Sequence, residues 1–213
     1  MEIRLQQLLP NPLTDRDTSD SAIWRKEVVW QSGQLTHVHA PSGTGKTSLT
    51  HMLYGLRHDY QGAITYDGRD VAQFDLRTWC GLRKDHISIV FQDLRLLPNY
   101  TAAENIQLNA ELQDSVPRSA WESYAAELGI THQLAQPLHQ LSQGERQRVA
   151  IVRALAQQFD WLIMDEPFSH LDENNRSKAA TLITHICEER AAGLVVLQLN
   201  EDHYFPYHQT FRL

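Results

Sequence analysis

The chain has 213 residues, 42% of them hydrophobic and 21% charged, with a formal net charge of -7 and a pI of 5.8. That length buries a sizeable core, in one domain or a domain with a subdomain, and the acidic balance argues against a surface built to coat nucleic acid. Cys80 and Cys187 stand far apart without metal-ligand spacing, as free thiols in a reducing compartment do, and neither a run of about 18 apolar residues nor an apolar leader occurs, so the expected location is cytoplasmic, with any membrane part supplied by another subunit.

Residues 2–9 are expected to form an edge strand, and Pro10-Asn11-Pro12 with the polar run Thr14 to Ser21 a loop. Glu27 to Gln31 and Leu35 to Ala40 read as strands around a turn at Ser32-Gly33. The second strand leads into Ala40-Pro41-Ser42-Gly43-Thr44-Gly45-Lys46-Thr47, which matches the phosphate-binding pattern G-x-x-x-x-G-K-[ST] except that Ala40 replaces the first glycine. In such a loop glycines let successive N–H groups turn onto a phosphate, the lysine reaches the outer oxygens, and the hydroxyl residue holds Mg²⁺. A helix over Lys46 to Tyr54 adds the partial positive charge of its N-terminus. A plain glycine turn before a helix is the weaker alternative in this strand-loop-helix setting. Candidate phosphate contacts are Ser42, Gly43, Thr44, Gly45, Lys46, Thr47 and Ser48.

Further along, Gly62 to Gly68 reads as a strand ending in an Asp-Gly turn, Leu76 to Arg83 as a short helix, and Ile87 to Phe91 as a buried strand followed by Gln92. From about residue 94 to 140 prolines punctuate two helical stretches, near 102–112 and 118–128, with no strand between them. Val152, Leu155, Ala156 and Phe159 then share one helical face, followed by the apolar strand Trp161 to Met164. A second long helix places Ala179, Leu182, Ile183 and Ile186 together, and Leu194 to Leu199 is another buried strand. Asp165-Glu166 closes the strand Trp161 to Met164, at the strand end where parallel sheets bind ligands. Asp165 is assigned to Mg²⁺, and Glu166 to orienting or deprotonating an attacking water. A charged pair closing a buried strand is the bland reading of Asp-Glu alone.

The stretch Leu141-Ser142-Gln143-Gly144-Glu145-Arg146-Gln147-Arg148-Val149 makes the resemblance specific, because it looks like the L-S-G-G-[QE] signature of ATP-binding-cassette (ABC) ATPases. Gln92, the Asp165-Glu166 pair and Ser169-His170-Leu171-Asp172 follow in family order, so the resemblance covers essentially the whole chain. It implies an α/β phosphate-loop NTPase core with a mainly parallel sheet, an antiparallel β subdomain near the N-terminus and a helical insertion. Residues 1–213 are then a single ABC ATPase domain containing a helical subdomain over about 93–145. It also implies ATP and Mg²⁺ as cofactors, Gln92 as the residue that senses metal and nucleotide, and a head-to-tail homodimer in which Ser142, Gln143 and Gly144 of one copy face the nucleotide of the other. Within the family, the segments around Gln92, Leu96 to Asn105 and Leu141 to Leu155 look like the branch of lipoprotein-release, macrolide-export and cell-division ATPases. That branch implies an integral-membrane permease partner and a peripheral position on the inner face of the cell membrane.

Four positions depart from the family pattern: Ala40, Gln143, the absence of an aromatic residue near Arg16, and Glu201 where a histidine is usual, with His203 two residues late. Arg16 is the candidate to lie over the base as a planar cation, with Trp24 second. His203 is the candidate γ-phosphate contact, and with that sensor displaced slow hydrolysis is expected. The alternative function is a slow-turnover, ATP-dependent dimerisation switch or scaffold of the same fold. A soluble ABC protein acting on DNA or ribosomes lacks the coiled-coil insertion, zinc cysteines or tandem cassettes it needs, so no nucleic acid is expected. Arg146, Arg148 and Arg153 read as a solvated or interface face of their helix, and His37, His39, His132 and His139 as surface or packing residues.

Overall fold

A computed structural model describes residues 1–111, 116–200 and 203–213. Strands β1 (Glu2–Pro10), β2 (Glu27–Gln31), β4 (Tyr60–Tyr66) and the short β5 (Arg69–Asp70) form an antiparallel sheet in the order β2-β1-β4-β5. The first strand is therefore interior, not an edge: it pairs with β2 through Ile3–Trp30 and Leu5–Val28 and with β4 through Ile3–Tyr66 and Leu5–Ile64. Its alternation hid this, because Ile3 and Leu5 are fully buried while Gln6 and Gln7 are exposed at the irregularity before Leu9.

The second sheet is parallel throughout. It runs β6 (Ile87–Val90), β7 (Trp161–Asp165), β8 (Gly193–Gln198), β3 (Leu35–His39) and β9 (Gln209–Arg212), in that spatial order. Its inner strands read as unbroken apolar runs because both faces are covered. Successive residues serve opposite cores: Leu162 and Met164 join the cluster beneath the helices, whereas Trp161 and Ile163 join the cluster toward the antiparallel sheet. In β8, Leu194 and Val196 divide from Val195 and Leu197 in the same way. The edge strand β9 was not anticipated. Gln209 and Phe211 are only half-buried, so the tail carries no buried-strand pattern, and its place depends on pairing with Thr36 and Val38.

Six α-helices are described: α1 (Lys46–Leu53), α2 (Leu76–Asp85), α3 (Ala102–Ala110), α4 (Arg118–Glu127), α5 (Gln143–Leu155) and α6 (Glu173–Glu189). Both α3 and α5 start on capping boxes, Thr101 with Glu104 and Ser142 with Glu145, which satisfy two N–H groups at the start of each helix. Helix α5 is the hub of the helical side, with Val149, Ile151, Val152, Ala154 and Leu155 all fully buried. The expectation of a solvated arginine face on this helix is corrected. Arg146 donates to the Leu138 carbonyl at 2.9 Å, Arg148 to that of Leu128 at 3.1 Å, and Arg153 to those of Leu94 at 2.6 Å and Arg95 at 2.7 Å. The guanidinium forks satisfy loop carbonyls, of which that of Leu138 also accepts the Leu141 N–H at 3.1 Å. Burial lowers the Arg153 pKa to about 10.

Candidate functional site

Strand β3 delivers the chain to the loop 40–45, and α1 begins at Lys46. Ala40 is fully buried, donates its N–H to the Gln198 carbonyl at 2.8 Å, and is not among the residues with positive φ. Its methyl group therefore costs no backbone strain, which explains how alanine stands at the first position of the loop. Gly43 and Gly45 do require glycine, with φ of 81° and 100°. At Gly45 a Cβ would also lie 2.8 Å from Leu13 Cδ1 and 3.0 Å from Trp24 Cζ2.

The segment between β1 and β2 braces this loop. Arg16 donates to the Gly43 carbonyl at 2.9 Å, and the Trp24 indole N–H donates to the Thr44 carbonyl at 2.8 Å. Trp24 lines the first of the cavities described next but is 1% exposed, so it offers no open face for a base to stack on and its reading as a base-stacking residue is corrected. Arg16 is exposed and lines two cavities that flank the loop. One, of about 340 Å³, is walled by Arg16, Asp17, Asp20, Gly43 and Thr44. The other, of about 400 Å³, brings together Gly45, Lys46, Thr47, Ser48, Gln92 and Glu166.

In the second cavity the chemistry converges. Lys46 is ion-paired with Glu166, and its Nζ lies 3.7 Å from Asp165 Oδ1. Asp165 is 1% exposed, and its other oxygen accepts a hydrogen bond from Thr50 Oγ1 at 3.4 Å. Burial lowers the Lys46 pKa and raises that of Asp165, and in each case the charge of the other opposes the shift. Glu166 has φ of 49°, a conformation seldom taken by a residue with a side chain; its N–H is fixed by the Leu197 carbonyl at 2.9 Å and its carbonyl by Gln147 Nε2 at 3.2 Å. Neither Asp165 Oδ1 nor Glu166 Oε1 accepts a hydrogen bond although both are buried, leaving Lys46 as their counter-charge. The set formed by these oxygens, the exposed Thr47 hydroxyl and the Gln92 amide is one of hard oxygen donors, which fits Mg²⁺. The glycine loop and the N-terminus of α1 likewise fit a polyphosphate.

Ser142 caps α5. Its Oγ donates to Glu145 Oε2 at 2.7 Å, and Gly144 sits so close to the His170 carbonyl that a Cβ would lie 2.9 Å from it. His170 and Ser169 in turn meet Gln147 Oε1 at 3.0 and 3.2 Å. Ser142, Gln143 and Gly144 line neither cavity at the phosphate loop. The polar face they present lies on a different part of the same chain.

Glu201 lies outside the described residues. His203 is exposed and lines neither of the two cavities; Leu199 takes that side of the phosphate cavity, and its carbonyl is held by His39 Nε2 at 2.8 Å. The bracing by Trp24 was not anticipated, and a lone tryptophan between two loops carries no motif that gives it away. No group of three or more metal-ligating His, Cys, Asp and Glu side chains occurs among the described residues, and none of their helices is long and apolar enough to cross a membrane.

Residues 27–169 match a family model described as ABC transporter. The chain is 35% identical over 168 residues to the lipoprotein-releasing system ATP-binding protein LolD of Legionella pneumophila (strain Paris), an alignment covering 78% of this chain and 74% of that one. It is 28% identical over 184 residues to the ABC transporter ATP-binding protein YtrE of Bacillus subtilis, covering 85% and 80%. Among solved structures it is similar to the dimeric structure of a bacterial ABC transporter cassette, with a TM-score of 0.78 and 25% identity over 93% of this chain and 88% of that one. A post-hydrolysis state of an ATP-binding cassette bound to ADP and Pi gives a TM-score of 0.77, with the same identity and coverage.

Proposed function

The chain belongs to the ABC transporter ATP-binding family, and from that premise we propose that it hydrolyses ATP to drive a separate integral-membrane permease of the lipoprotein-release type. The observation that carries this is the convergence of Lys46, Thr47, Gln92 and Glu166 on one cavity, with Asp165 beneath it. Bound ATP would bring the γ-phosphate that is transferred to water, and Mg²⁺ would neutralise charge on its oxygens. The N–H groups of Gly43 and of Gly45 to Ser48, with the Lys46 ammonium, would hold the phosphates. Thr47, Gln92 and Asp165 would hold the metal. Glu166 takes or orients the proton of the attacking water, which requires Lys46 to leave its carboxylate and turn to the phosphates.

Ser142 to Gly144 stand away from the chain's own phosphate cavities, which supports a homodimer in which they face the nucleotide of the other copy. Arg16, which lines both cavities, would lie over the base. The relatives named as transporter subunits favour coupling to a permease over a free-standing dimerisation switch, and hence a position on the inner face of the membrane. The segment 93–145 would serve as the helical subdomain that meets the permease. His203 would approach a γ-phosphate only if the end of the segment after Leu199 moved, so turnover of the isolated chain is expected to be slow.

The test is ATP hydrolysis by the purified chain with Mg²⁺, together with capture from native membranes. Turnover abolished by Lys46→Ala, and copurification of a permease, are expected. A chain that binds no nucleotide, or that copurifies with no membrane protein, would contradict the proposal.

A further inference from the structure

Arg16 and Trp24 come from one segment and donate to the carbonyls of consecutive phosphate-loop residues, Gly43 at 2.9 Å and Thr44 at 2.8 Å. A planar trans peptide points its N–H opposite to its carbonyl. Held at the Thr44 oxygen by the indole beneath, the peptide that joins Thr44 to Gly45 therefore turns the Gly45 N–H away from Trp24. No backbone acceptor takes that N–H among the described residues, whereas the Thr44 N–H is consumed within the loop by the Pro41 carbonyl at 3.2 Å. The Trp24 ring also packs so closely under Gly45 that a methyl group there would meet Cζ2 at 3.0 Å. Ser21 Oγ locks the tryptophan from the other side, accepting its backbone N–H at 2.8 Å. The indole is thus fixed at backbone and ring, is 1% exposed, and spends its N–H donor on the loop.

We propose that Trp24 is a positioning residue for phosphate binding: its indole N–H, acting through the Thr44 carbonyl, pre-aims the Gly45 N–H at the bound polyphosphate. The inference rests on the nucleotide-binding reading above and adds a residue to it that touches no ligand. Its contribution falls on affinity for the phosphates and not on the chemical step. Loss of one N–H contact to the phosphate, at about 1.4 kcal/mol, corresponds to about tenfold in affinity.

The test replaces Trp24 by benzothienylalanine, an isostere whose sulfur stands where the indole N–H was, with Trp24→Phe as a second variant. ATP, ADP and pyrophosphate affinities are measured on the full chain, beside its melting temperature and its KM and kcat. Trp121→Phe, at a buried tryptophan within α4, serves as the packing control. Expected is a loss of about tenfold for all three ligands, a KM raised with kcat unchanged, and a melting shift no larger than that of Trp121→Phe. Unchanged affinities in the isostere, or a loss confined to ATP and ADP with pyrophosphate unaffected, would overturn the assignment. If the unmodified chain binds none of the three, the nucleotide reading itself falls and this inference with it. Normal binding by both unmodified chain and isostere removes the inference alone.

Discussion

Lys46 Nζ lies 3.7 Å from Asp165 Oδ1, at the junction of the phosphate-loop helix and the strand that carries the acidic pair. Lysine and aspartate are both nearly excluded from solvent, and burial pulls their pKa values toward neutrality from opposite sides. The site thus sets poorly solvated charges against one another, with Lys46 facing Asp165 and Glu166 while Thr50 Oγ1 donates to the other Asp165 oxygen.

The first expectation concerns pH. Because the folded pKa of Asp165 is raised, the folded chain binds more protons than the unfolded chain in the acid range, and stability falls as pH rises through that window. Lys46 acts oppositely: its lowered pKa makes stability rise with pH below its ordinary value. Asp165→Asn is expected to raise the melting temperature of the nucleotide-free chain at pH 7, with the gain shrinking as pH drops through the carboxylate range, while ATP hydrolysis is lost. Thermal melts of both proteins across pH check this; a destabilised Asn variant at pH 7 contradicts it.

The second concerns the loop glycine. Gly45→Ala places a methyl group 2.8 Å from Leu13 Cδ1 at a φ of 100°. A cost of about 3 kcal/mol is expected from strain and overpacking together, read by urea unfolding. Gly81→Ala is the contrast. Nothing lies within 4 Å of its added carbon, inside α2, and a gain of about 0.5–1 kcal/mol is expected there.

Much of this site was legible in the residues. The phosphate loop, Asp165-Glu166 and the signature-like stretch from Leu141 carry their chemistry in short, ordered patterns, and buried parallel strands announce themselves as unbroken apolar runs. What was hidden depends on long-range pairing. The interior position of β1 needs β4, more than fifty residues on, and the edge strand β9 needs β3. The arginines of α5 looked like a solvated face because their side-chain partners are backbone carbonyls of distant loops. Arg16 was found only through the absence of an aromatic residue, and the bracing by Trp24 has no motif at all. Leu199, not His203, lines the phosphate cavity because the chain stays tied to β3 through the bond from His39.

The third expectation follows from Arg153. Its two-pronged donation holds Leu94 and Arg95, both at positive φ, 59° and 46°, and separated from Gln92 only by Asp93. Arg153→Lys keeps the charge and loses the fork. A loss of about 2 kcal/mol is expected, with a larger fall in permease-stimulated than in basal turnover. Equal falls in the two rates would show that the loop after Gln92 is not a coupling element.

The fourth concerns Gly144. A methyl group there would press on the His170 carbonyl at 2.9 Å and separate the start of α5 from the loop Ser169 to Asp172. Gly144→Ala is expected to leave single-copy ATP affinity within about twofold and to weaken ATP-dependent self-association. Titration calorimetry and light scattering separate the two effects.

The central claim is that two copies close on ATP, each completing the phosphate site of the other. Glu166→Gln removes the carboxylate proposed as the base while keeping the size and backbone of the residue, so closed pairs should accumulate. Sedimentation of this variant with Mg²⁺ and ATP measures it directly: a dimer that forms with ATP and is absent with ADP is expected, whereas a chain that stays monomeric with ATP bound contradicts the account.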